Sequence, residues 1–216
     1  MSRTPVTGAD VERAVALTAE ALRLAPAEAW DAKAGPMDCS CWDALDHLNN
    51  GVFSYATRLV PPVPNVQMRP TIMWKRPGSP LPMATDREAG PEAAIEVLLM
   101  VGGLVAAVVD TRPATARAWH IWGTADPEGF AAMGVVETLA HAFDLTQGLG
   151  LGFEAPAELV APALARLFPE APADTDPWPT LLWATGRGEL EGHAKRSPDW
   201  TWHSAPLDGD QGPSGT

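Results

Sequence analysis

The stretch "GVVETLAHAFDL", residues 134–145, sets Glu137 and His141 four positions apart in an otherwise apolar run and follows them with Asp144. On a helix, residues i and i+4 lie one above the other, so this carboxylate and imidazole project toward one point. Val135, Val136, Leu139 and Ala140 make their surroundings apolar. A buried carboxylate is costly unless it is paired or bound to a metal. The segment therefore predicts a buried helix over about 128–147, ended by Gly148 and Gly150, with a polar pair on one face.

Working outward, the periodicity predicts an all-α chain. A first helix is capped by Thr7 or Asp10, carries Val11, Ala14, Val15, Thr18, Ala21 and Leu22 at helical spacing, and stops before Pro26. A second begins after Asp38 or Ser40 and runs as a stripe of Trp42, Leu45, Leu48, Val52, Tyr55 and Leu59 to Pro61 and Pro62. Residues 61–88 form a proline-rich linker without regular structure. Its Met68, Ile72, Met73 and Trp74 are apolar side chains that a solvated connection does not need, so Met73 and Trp74 are candidates for a pocket wall. A third helix holds Ile95, Leu98, Leu99, Gly102, Val105, Ala106 and Val109 on a face broad enough to predict burial nearly all round. Gly102 and Gly103 lower its helix propensity and admit a close neighbour. Further helices are expected near 156–168 and 177–187, then an extended "DWTWH" and a frayed tail. Residues 1–150 form the main domain and 151–216 a helical extension.

His47, between Leu45 and Leu48 in "WDALDHLNNGVF", lies close to the buried stripe of the second helix, where packing can bring it against Glu137 and His141. Two imidazoles and one carboxylate with open positions suit catalytic zinc and also non-haem iron. Spacing alone favours a simpler outcome, a core histidine satisfied by its glutamate. Asp144, one turn past His141, is either an acceptor that orients His141 or an ordinary surface aspartate. Asp46 points about 100° away from His47 and is expected in solvent. His120, in "RAWHIWG", is first a structural histidine and second an acid/base or fourth-ligand candidate. Trp42, Trp119, Trp122 and Trp74 are candidates for the mouth of a pocket between helices, and the later tryptophans for packing of the extension.

The 216 residues, 46% hydrophobic with nine Trp, suffice for one sizeable core. Fifteen Lys and Arg against 27 Asp and Glu give a net charge of −12, which opposes binding to nucleic acid and to anionic lipid. The first residues lack the apolar core of a signal peptide, and the longest apolar run, 97–109, is short for a bilayer, so a cytoplasmic location and no membrane partner are expected. Cys39 and Cys41, two residues apart in "CSCW", are expected as thiols, small buried groups near a helix start.

The organisation resembles the DinB/YfiT-like superfamily, and within it the actinobacterial mycothiol-dependent maleylpyruvate isomerase family. The similarity rests on the histidine of the second helix, "GVVETLAHAFDLTQGLGL" and "RLFPEAP…DPWPTLLWATGRGEL", over roughly residues 8–206. It implies a DinB-like four-helix bundle with a short α-helical C-terminal extension. It also implies a divalent metal, usually zinc, with nickel, manganese or iron as alternatives, on His47, Glu137 and His141. The C-terminal domain of the isomerase is shortened here, so isomerisation of maleylpyruvate is not implied. Arg187, in "ATGRGEL", is the candidate for the family's catalytic arginine. The implied chemistry is transfer of a low-molecular-weight thiol, mycothiol, to a small electrophile, or its isomerisation, by a monomer or homodimer. Other chemistry on the same fold, such as hydrolysis, and a noncatalytic small-molecule binder are the alternatives.

Overall fold

The computed structural model describes residues 3–64, 66–67 and 83–207. The chain is mostly helical, with α1 (Gly8–Leu22), α2 (Cys41–Leu59), α3 (Gly90–Thr111), α4 (Pro127–Gly148), α5 (Ala157–Leu167) and α6 (Pro177–Ala184). Local chemistry accounts for the helix starts. Thr7 donates to Asp10 through both its backbone N–H and its hydroxyl, each at 2.8 Å. Ser40 accepts from the Asp43 N–H at 3.1 Å, and Asp126 accepts from the Gly129 N–H at 2.7 Å, each meeting one of the orphan donors of a first turn.

Helices α1 and α2 each pack against both α3 and α4, and α3 also meets α4. The core between them is built from Val11, Val15, Leu45, Leu48, Val52, Ile95, Leu98, Val105, Val135 and Leu139, all buried. Gly102 permits the α1–α3 approach, since a Cβ there would lie 2.7 Å from Val15 Cγ2 and 2.8 Å from Cγ1. Helix α5 packs on α4 and α6. Arg166, 1% exposed, binds Asp126 Oδ1 at 2.9 Å and the carbonyls of His203 and Ser204 at 3.1 and 3.2 Å. That buried guanidinium fastens the C-terminal segment to the start of α4.

Two expectations are corrected, the burial of α3 on all sides and the exposure of Asp46, and two features are added to the reading, a short hairpin and the full length of α3. A hairpin, β1 (Ala118–His120) and β2 (Gly123–Ala125), precedes α4. Its turn is closed by the Trp122 N–H, which donates to His120 Nδ1 at 3.2 Å. Helix α3 is not buried all round, for Met100 and Leu104 are 65% and 48% exposed. The apolar run 97–109 belongs to a longer helical stretch, Arg87–Thr111, that by length and composition is able to cross a membrane. In this structure it packs against α1, α2 and α4. Asp46 is buried, because the end of the linker covers it: Thr85 donates to its Oδ1 from N–H and hydroxyl at 3.0 and 2.8 Å. Asn50 pairs in the same way with the backbone of Met83.

Replacing Gly102 by Ala tests the α1–α3 contact. Alanine gains about 1 kcal/mol in helix propensity. Overpacking against buried, β-branched Val15 costs about 1–3 kcal/mol. Chemical denaturation of Gly102→Ala should show net destabilisation, whereas Gly103→Ala, where a Cβ meets nothing within 4 Å, should be neutral or stabilising. Equal effects at the two positions would refute the close approach.

Candidate functional site

The polar face of α4 meets α2 and the segment after α6 in one continuous set of contacts. His141 lies at its centre, with Nε2 3.2 Å from Glu137 Oε2 and Nδ1 3.1 Å from Asp144 Oδ2. Tyr55, on α2, donates its hydroxyl to Glu137 Oε1 at 3.0 Å. Arg187 donates to Asp144 from Nε at 3.0 and 3.1 Å and from Nη2 at 2.7 Å. The His47 ring stands edge-on to that of His141, with 5.2 Å between ring centres. Exposure rises along this set, from 0% for the Asp144 side chain through 8% for His141 and 24% for Glu137 to exposed His47.

The proton affinities follow from this geometry. Burial alone would raise the Glu137 pKa, but the hydrogen bond and charge of His141 and the Tyr55 hydroxyl outweigh it and pull the value down from 4.5 to about 2. Burial likewise opposes ionisation of Asp144, and His141 and Arg187 reverse the effect. For His141, burial lowers the pKa, yet the two carboxylates on its two nitrogens leave it raised. His47 is lowered, first by desolvation and then by His141, so its imidazole tends to be neutral.

The spacing can be tested against a shared ion. Two donors about 2.05 Å from a tetrahedral ion are about 3.3 Å apart. The observed separation of His141 Nε2 and Glu137 Oε2 is 3.2 Å. The His47 and His141 ring centres are 5.2 Å apart, edge to face, which places the second imidazole beside the α4 pair. Both outer atoms of the α4 pair are held by other groups, Glu137 Oε1 by Tyr55 and His141 Nδ1 by Asp144, which leaves the inner atoms facing each other. The 3.2 Å spacing of the α4 pair is one that two donors to a shared ion can have, and it is equally that of a hydrogen bond between them. Among the described residues, no three His, Cys, Asp or Glu side chains form a ready metal-holding group, so what exists is a two-donor edge with the third ring beside it.

Other candidate residues lie elsewhere. His120 is buried one layer behind Tyr55, 6.2 Å between ring centres, with Nδ1 3.1 Å from Ser204 Oγ. Burial lowers its pKa to about 4. Trp122 packs on His120, Trp200 and Trp202. Trp42 lies under Arg87, and Trp119 under Arg58. Met73 and Trp74 lie outside the described residues. Cys39 and Cys41 are free thiols, and burial pushes Cys41 up to about 11. Tyr55 is the site residue that periodicity assigned only to the apolar stripe. Comparisons of the chain with protein-family models, with curated proteins and with solved structures return no match.

Linkage makes the pair visible in the metal-free protein. Glu137, depressed from 4.5, contributes stability that is present above that value and lost as pH falls toward about 2. His141, raised from 6.5, contributes stability that is present below 6.5 and lost as pH rises through its elevated pKa. Urea denaturation against pH should therefore show both limbs, and Glu137→Gln should flatten the acid limb and weaken the alkaline one. An acid limb of unchanged slope in that variant would exclude the pairing.

Proposed function

We propose that the chain is a metal-dependent enzyme of DinB-like four-helix-bundle architecture that uses a low-molecular-weight thiol against a small electrophile. His47, Glu137 and His141 would hold one divalent ion, with zinc first and nickel, manganese or iron as alternatives. The observation that carries this reading is the paired spacing on α4 and α2, 3.2 Å between donors and 5.2 Å between rings. The packing of α1 and α2 against both α3 and α4 supports the bundle. The acidic charge and free thiols support a cytoplasmic setting.

An ion with open positions supplies Lewis acidity that brings a bound thiol's pKa into the neutral range. The protein's own groups do the rest. Tyr55 holds Glu137 by one oxygen, Asp144 fixes the His141 proton on Nδ1, and exposed His47 marks the side open to solvent and to a thiol such as mycothiol. A second reading draws on a different observation. The chain Tyr55–Glu137–His141–Asp144–Arg187 is hydrogen-bonded throughout without an ion, as in a structural network of a noncatalytic binder.

Metal analysis and cobalt spectroscopy separate these readings. Freshly purified protein should carry about one divalent ion per chain, and His141→Ala should lose most of it while remaining helical. Cobalt-loaded protein should gain a sulfur-to-cobalt charge-transfer band on addition of mycothiol. Protein that cannot be loaded with zinc or cobalt supports the structural network. Thiol-independent turnover with solvent oxygen in the product supports hydrolysis.

A further inference from the structure

The segment after α6 reaches the site through a short, well-defined device. Helix α6 ends at Ala184, and Gly186 follows in the left-handed conformation, φ +71°. The Gly186 N–H donates to the Trp183 carbonyl at 2.9 Å and the Arg187 N–H to the Leu182 carbonyl at 2.7 Å. This is a Schellman-type ending, in which the residue after the glycine bonds back six to one. The position needs glycine for its φ, and a Cβ there would also lie 3.3 Å from Trp200 Nε1. The reversal turns the Arg187 side chain back onto α4.

At α4 the guanidinium meets Asp144 through Nε and Nη2, and its Nη1 donates to the Thr185 carbonyl at 3.1 Å. Arg187 is 14% exposed and Asp144 fully buried. With all three nitrogens engaged inside the protein, the guanidinium is poorly placed to serve as a free cation for substrate. Among the described residues its one charged partner is Asp144, the carboxylate that binds His141 Nδ1. We infer that Arg187 is a positioning residue, which locks Asp144 and through it the orientation of His141, so that the segment after α6 is an integral part of the site on α4. A fork of two N–H groups fixes the plane of a carboxylate, which a single point charge does not. This assignment rests on the metal-site reading for its effect on binding, but its effect on His141 exists in the metal-free protein as well.

The experiment uses the full chain in two states. In metal-free protein labelled with ¹⁵N-histidine, the Nδ1 proton of His141, buried against Asp144, should give a slowly exchanging imidazole resonance, assigned by its loss in His141→Ala. Arg187→Gln should shift or broaden that resonance, and Arg187→Lys, which keeps the charge without the fork, should restore it only in part. In cobalt titrations with a competing chelator, Arg187→Gln should weaken binding about 10- to 100-fold, the usual cost of losing an outer-shell partner of a metal-binding histidine. Asp144→Asn should cost a similar factor, and the double variant should cost little more than either alone, because Arg187 acts through Asp144. If Arg187→Gln is unstable by circular dichroism, Gly186→Ala provides the second test, since it misdirects Arg187 while keeping the Arg187, Asp144 and His141 side chains, at the cost of a shift of Trp200. An unchanged His141 resonance in Arg187→Gln, or additive losses in the double variant, overturns the assignment. A wild-type chain that binds no cobalt overturns the metal reading alone, because the histidine resonance still reports on Arg187.

Discussion

Asp144 is a carboxylate with no access to solvent on a helix that is buried along most of its length. An isolated charge in that position would cost several kcal/mol, enough to rival the stability of a whole domain. Two groups offset it: the His141 imidazole, one turn earlier on the same helix, and the Arg187 guanidinium, from a segment 43 residues later. Once Asp144 is fixed by the fork of Arg187, the His141 ring has one orientation that keeps Nδ1 on the carboxylate. Its Nε2 then faces Glu137, and Glu137 is in turn held by Tyr55. The geometry of the candidate site thus follows from the need to neutralise one buried charge.

The same helix repeats the device near its other end. Asp126 caps α4 and binds Arg166, which at 1% exposure is buried to the degree of the core hydrophobic residues. The two aspartates are separated by most of the length of α4, and each receives an arginine from beyond residue 150. Buried ion pairs are weak sources of net stability, because desolvation offsets their attraction, but removing one partner is severe. Their effect here is on register: one fork, Arg187 on Asp144, and one single guanidinium contact, Arg166 on Asp126, tie the α5–α6 segment to α4 at two separate points. A purely apolar contact of the same size would not fix position so closely, since hydrophobic attraction has no preferred direction.

The six helices were legible in the sequence because their signals are local: period, caps and breakers. Thr7, Ser40 and Asp126 stand where such residues start helices, and the boundaries fall within a few residues of those expected. The spacing of Glu137 and His141 was legible for the same reason. Tyr55 was not, because its ring belongs to an apolar stripe and only the three-dimensional meeting of α2 with α4 gives its hydroxyl a partner. Arg166 and Asp46 look like surface residues in one dimension. They are buried through contacts 40 and 39 residues away, with Asp126 and Thr85. The hairpin escaped because three-residue strands carry too little alternation to register, and its turn depends on a side chain, His120, that accepts from the backbone. The exposed face of α3 was misjudged because an apolar residue is not compelled to be buried, and composition alone does not distinguish a core face from an open one.

The gradient of exposure gives the site a direction. Asp144 and Arg187 close it from the side of α6, while Tyr55 and, behind it, His120, Trp122 and Trp202 close it from the side of the hairpin. His47 remains exposed on α2, and the end of the linker, at Met83 and Thr85, lies against Asn50 and Asp46 on that same helix. On the proposed reading, a polar ligand meets His47 first, then Glu137 and His141, and the set ends at a carboxylate already matched by its own arginine. If this site is reactive as proposed, its open end requires the closed end to be electrically complete, for an unpaired Asp144 would compete with any incoming ligand for the proton and the orientation of His141.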